Sequence, residues 1–133
     1  MRMNTKLIMT LSAVALAVTG ITLTFFPAEI SHYINPDASK SFQIIFQILG
    51  ALYFAFAMLN WMAKESTIGG IYNRPIAIAN FTHFLIGGLA LDKALLNNAD
   101  LPAELWIAAV LYSIFAVLFA LILFRPISKN KQV

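Results

Sequence analysis

The chain has 133 residues, of which 60% are hydrophobic and 11% charged, and its mean hydropathy is +0.79. Soluble domains carry about 25% charged residues, so composition excludes an ordinary soluble globular fold. The formal charge is +3, but its basic residues border apolar runs, where they act as topology signals rather than as nucleic-acid contacts. With no cysteine, disulfides, thiolate nucleophiles and thiolate metal sites are excluded. Four apolar runs of spanning length need about 80 residues at roughly 20 each. The rest suffices for loops and tails but not for a soluble domain.

The first run, Leu7 to Phe26, carries no charge and follows Arg2 and Lys6. A basic start before an apolar run also describes a signal peptide, whose apolar core is about 7 to 15 residues; the greater length here favours a retained helix. Thr10, Ala13, Ala17, Gly20 and Thr24 fall on one helical stripe of small residues that lets a neighbouring backbone approach. Pro27 ends this helix. In the connection that follows, Ile30, Tyr33 and Ile34 have the spacing of one apolar face, which predicts a short interfacial helix. His32 in that segment reads as a surface residue.

The second helix is expected over 42–62. Gln43, Gln47, Gly50, Phe54 and Trp61 share a stripe, with Asn60 roughly 100° away from it. Buried amides need partners, either across helices or in a ligand. A polar loop to Arg74 contains Gly69 and Gly70, which suit a tight return and could cradle an anion together with Arg74. Pro75 then opens the third helix, expected over 75–96, because its missing N–H costs nothing in a first turn.

In that helix Asn80, Phe84, Gly87 and Leu91 form a stripe with His83 beside it. His83 lies roughly 10 Å along the axis from Ile76. An ionisable group at such depth is a functional candidate, and a neutral imidazole both donates and accepts. The competing reading is an interhelical hydrogen bond to Asn60 or to a tyrosine hydroxyl. The triplet Asn80-Phe81-Thr82 matches a glycosylation acceptor but sits inside the span. Asp92 lies on the opposite side of the wheel from His83. Pro102 precedes the fourth helix, expected over 105–124, where Ala109, Ser113, Ala116 and Ala120 give another small stripe.

Arg2, Lys6, Lys64, Arg74, Arg125, Lys129 and Lys131 occupy both ends and the second loop, and only Lys40 and Lys93 lie on the other side. This bias predicts cytoplasmic N and C termini. The expectation is an all-α, four-transmembrane-helix bundle forming one integral membrane domain over 1–133, multi-pass in a bacterial inner membrane. Trp61, Trp106 and Tyr72 stand near helix ends as interfacial anchors.

The order of FFPAEI closing the first span, LGALYFAFAMLNW in the second, RPI opening the third and IGGLAL within it resembles the DoxX-like group of small four-helix bacterial membrane proteins. The resemblance covers roughly residues 7–125. It implies a four-helix membrane fold and makes quinone-linked redox chemistry conceivable. Small multidrug exporters are similar in length, but their first helix carries a membrane-embedded glutamate where this chain has only Ser, Thr and Gly.

Three functions compete. The protein binds a membrane lipid, a quinone-like molecule or a membrane protein partner; it serves a quinone-linked oxidoreductase; or it forms a homo-oligomeric transporter or channel. The candidate ligand-binding residues are His83, Asn80, Asn60, Arg74 and Tyr72. Gln43, Gln47 and Asp92 form a candidate outer polar cluster. No catalytic residue, metal site or nucleic-acid partner is expected.

Overall fold

The fold is taken from a computed structural model, which describes residues 4–66, 68, 71–98 and 100–124. Among these, all regular structure is helical: α1 (Thr5–Phe25), α2 (Pro27–Ile34), α3 (Lys40–Ala63), a single 3-10 turn at Ile71–Asn73, α4 (Arg74–Asn97) and α5 (Ala103–Leu123). The helices α1, α3, α4 and α5 have 21, 24, 24 and 21 residues and are long and apolar enough to cross a membrane. At about 1.5 Å per residue each exceeds a hydrocarbon core of about 30 Å. This is the pattern of a multi-pass membrane protein.

The expected spans agree with these helices to within two residues at each end. The expected Gly69–Gly70 turn, and Arg2, Arg125, Lys129 and Lys131, lie outside the described residues. The chain divides into two compact units, Met1–Glu65 and Ser66–Val133, each built on an antiparallel helix hairpin.

In the first unit Asn4 caps α1, its side chain accepting from the Leu7 N–H at 3.1 Å. The helix stops at Phe25, one residue before the position that faces the proline. A residue preceding proline is disfavoured in the α region; Phe26 accordingly adopts φ −122°, ψ 41°. Pro27 then opens α2, and Glu29 in its first turn complements the helix dipole. The short helix expected around Ile30, Tyr33 and Ile34 is therefore present. His32 is exposed, and its Nδ1–H donates to the Pro36 carbonyl at 3.2 Å.

The hairpin of α1 and α3 closes on a pair of glycines. A Cβ placed on Gly20 would stand 2.7 Å from the Phe54 nitrogen and 2.8 Å from the Gly50 carbonyl oxygen. One placed on Gly50 would stand 2.7 Å from the Gly20 carbonyl oxygen. Only glycine permits this backbone approach.

The buried face of α1 is Ile8, Met9, Ser12, Ala13, Leu16 and Gly20, rotated from the expected threonine-containing stripe. Of that stripe Ala13 and Gly20 remain buried and Thr24 stays at the contact, its Oγ1 2.5 Å from where a Cβ on Gly50 would stand; the Thr10 hydroxyl instead donates to the Lys6 carbonyl, four residues back. In α3 the buried face is Gly50, Ala57, Asn60 and Ala63, while Gln47, Phe54 and Trp61 are exposed. Asn60 thus belongs to the packing stripe, from which sequence periodicity had separated it.

In the second unit Pro75 sits in the first turn of α4, and Pro102 is the N-cap of α5. The core is aromatic. Phe84 is 1% exposed, stacked on Phe119 and Phe115 at centroid distances of 5.7 and 4.9 Å and edge-on to Tyr112 at 5.2 Å. Such geometries add about 0.5 to 1.5 kcal/mol per pair beyond the area buried. The small stripe expected in α5 survives at Ala109 and Ala116, but Phe115, Phe119 and Ile122 share the burial.

Candidate functional site

Each hairpin carries a polar pair that joins its two long helices, and the two pairs differ in chemistry. In the first unit the Asn60 amide donates from Nδ2 to Ser12 Oγ at 3.1 Å, and the Ser12 hydroxyl donates to the Met9 carbonyl at 3.0 Å. Both residues are 0% exposed. A sealed amide–hydroxyl pair of this kind ties α3 to α1 and fixes their rotation.

In the second unit the Tyr112 hydroxyl and His83 Nε2 lie 3.2 Å apart. The two rings tilt at 50° with centroids separated by 5.4 Å, and the imidazole stands edge-on to Phe84 at 5.1 Å. Gly87 makes the seat for the phenol: a Cβ there would meet Tyr112 Cε1 at 2.6 Å. His83 and Tyr112 are both half-buried, so the pair reaches the helix surface.

The pair can exist in two forms without creating an ion. In one tautomer the Tyr112 O–H donates to an unprotonated Nε2; in the other Nε2–H donates to the phenolic oxygen.

Asn80, 0% exposed, lies on the buried face of α4 and donates from Nδ2 to the Ile76 carbonyl at 3.0 Å. Tyr72, in the 3-10 turn, is 95% exposed, and Arg74 is exposed at the start of α4. Nine residues separate Arg74 from His83, about 13 Å along the axis at 1.5 Å per residue. Within this unit, therefore, His83 and Asn80 share neighbouring turns while Tyr72 and Arg74 stand beyond the reach of one small headgroup.

Asp92 lines an open-sided groove of about 180 Å³ between α4 and α5, whose other lining residues include Ser113, Gly88 and Phe84. Its position on the opposite side of α4 keeps it out of the His83 site. Of the two glutamines on α3, Gln43 is half-buried and Gln47 exposed. Among the described residues no group of three or more His, Asp or Glu side chains could hold a metal ion.

Sequence reading missed Tyr112 and Ser12. The signal for Tyr112 was a phenol at mid-span beside the small stripe of α5, facing a glycine pair in α4. Ser12 was hidden because Thr10 and Thr24 satisfied the same small-residue pattern.

No protein-family profile, curated protein or solved structure matches this chain.

Proposed function

We propose that the protein is a multi-pass inner-membrane protein that binds a quinone-like, carbonyl-bearing molecule against α4 and α5, with His83 and Tyr112 as its headgroup contacts. The observation that carries this reading is the half-buried imidazole–phenol pair itself, two hydrogen-bonding side chains 3.2 Å apart inside a hydrophobic span. The Asn60–Ser12 pair of the first unit, by contrast, is fully enclosed. The resemblance to DoxX-like proteins supports the same direction, with electron transfer assigned to a partner protein. The bias of seven basic residues against two supports cytoplasmic termini, which would place His83 in the cytoplasmic half of its span.

The test is titration of detergent-purified protein with decylubiquinone. His83→Ala and Tyr112→Phe are each expected to weaken binding about tenfold, the effect of roughly one hydrogen bond, with unchanged circular dichroism. Asp92→Asn, on the far side of α4, is expected to leave affinity unchanged. Equal affinity in wild type and His83→Ala, or no binding by the wild type, rejects the site.

A further inference from the structure

A second feature lies in the first unit and is independent of the α4–α5 site. Ala13, Val14 and Ala17 of α1 and Phe54, Ala57, Met58 and Trp61 of α3 line an open-sided groove of about 290 Å³. Apart from the indole N–H of Trp61, these side chains carry no polar group. Because the helices run antiparallel, the groove extends from Trp61 inward to Phe54 and Ala17, about 10 Å along α3 at 1.5 Å per residue. One leaflet is half of a hydrocarbon core of about 30 Å, so the groove follows roughly two-thirds of a leaflet, starting from its interfacial edge.

That edge is cationic. Lys64 places its ammonium 3.0 Å over the Trp61 ring, and Trp61 is itself a wall of the groove. Lys6 is at the same end but is taken up by Glu65, with Nζ 2.7 Å from Oε1 and 3.0 Å from Oε2. Lys64 therefore meets an aromatic face, where Lys6 meets a carboxylate. An apolar channel that begins at a lysine seated on a tryptophan has the order of chemistry found along one phospholipid: a negative phosphate at the interface and an acyl chain below it.

We infer that the α1–α3 groove is a binding site for an anionic glycerophospholipid, with one acyl chain against Met58 and Phe54 and the phosphate held by Lys64. The inference rests on α1 and α3 crossing a bilayer, and not on His83 or its ligand. Trp61 supplies the probe. In full-length Trp106→Phe protein it is the single tryptophan, so quenching by brominated phosphatidylglycerol and brominated phosphatidylcholine in reconstituted vesicles reports occupancy of the groove directly.

Phosphatidylglycerol is expected to be preferred about fivefold, the change one lysine supplies at a lipid surface. The preference should vanish in Lys64→Gln and persist in Lys64→Arg. Ala17→Phe, at a half-buried wall of the groove, should lower quenching by both lipids. Equal quenching by the two lipids in the parent protein, or a preference untouched by Lys64→Gln, overturns the inference. Quenching by neither lipid also overturns it: a dimer would then assign the groove to a second copy, and protein extractable without detergent would remove the membrane reading itself.

Discussion

The two hairpins reach the same antiparallel architecture by opposite means. Between α1 and α3 the backbones meet closely at Gly20 and Gly50, and the polar pair, more than two helical turns away, is fully enclosed. Between α4 and α5 the space is filled by rings, with Phe84 at the centre of Phe115, Phe119, Tyr112 and His83. Glycine packing leaves no room between the two backbones at the crossing, so the groove of that hairpin lies on its outer surface. A ring cluster leaves an edge, and His83 and Tyr112 occupy that edge. The lesson is that a polar group in an apolar span is interpretable only with its packing: one pair is sealed between its helices, the other is half-open, and the proposed ligand contact rests on that difference.

The contrast breaks most readily at the ring cluster. Phe84→Ala removes a side chain that four other rings contact, and a cost of about 3 to 5 kcal/mol is expected from the lost burial and the cavity left behind. Reversible unfolding in mixed micelles measures it. A loss below about 1 kcal/mol would mean that the rings are ornament to a hairpin held elsewhere.

The glycines sharpen it next. Gly20→Ala and Gly50→Ala must displace backbone, for which about 1 to 3 kcal/mol is expected. Gly88→Ala meets Tyr112 Cβ at 3.5 Å, an ordinary contact. It should be neutral or slightly stabilising, since alanine is favoured over glycine by about 1 kcal/mol within a helix. Equal effects at Gly20 and Gly88 would erase the distinction between the hairpins.

Much of this was legible in the residues. Run length and charge placement located the four long helices, because a spanning segment has few alternatives. The glycines at positions 20 and 50 announced close approach. What periodicity could not supply was rotation. A span apolar all round has no polar face to orient it, so the stripe chosen in α3 ran through Gln47 and Trp61 when the packing face runs through Ala57 and Asn60. Gly50 belongs to both stripes, and only its partner Gly20 decides between them. The His83 partner was narrowed to an asparagine or a tyrosine, and Tyr112 emerged only once α4 and α5 were set side by side.

The sealed pair gives a smaller effect. Asn60→Ala leaves the Ser12 hydroxyl with its own bond to the Met9 carbonyl, so the loss should be about 1 kcal/mol, as for other hydrogen bonds between membrane helices. The double variant Asn60→Ala with Ser12→Ala should cost less than the sum of the single changes. Additive losses in the same unfolding assay would show that the two side chains act separately.

The smallest effect belongs to the exposed tie at the end of the first hairpin. The hydrogen bond from Lys6, aided by the charges of Lys6 and Lys64, holds the Glu65 carboxyl below its ordinary value of 4.5 against a weaker opposing effect of burial. A carboxylate whose value is lowered in the folded state binds protons less readily there than when unfolded. The contribution of the pair is therefore complete above the ordinary value and disappears as pH falls through the lowered one. Melting wild type and Glu65→Gln side by side from neutral pH downward isolates it from the other acids. The difference between them should be small at neutral pH, shrink further with added salt because both side chains are exposed, and vanish only below pH 4.5. A difference that persists into stronger acid would mean that the Glu65 side chain acts through packing rather than charge, and the end of the first hairpin would then be held, like its crossing, by shape.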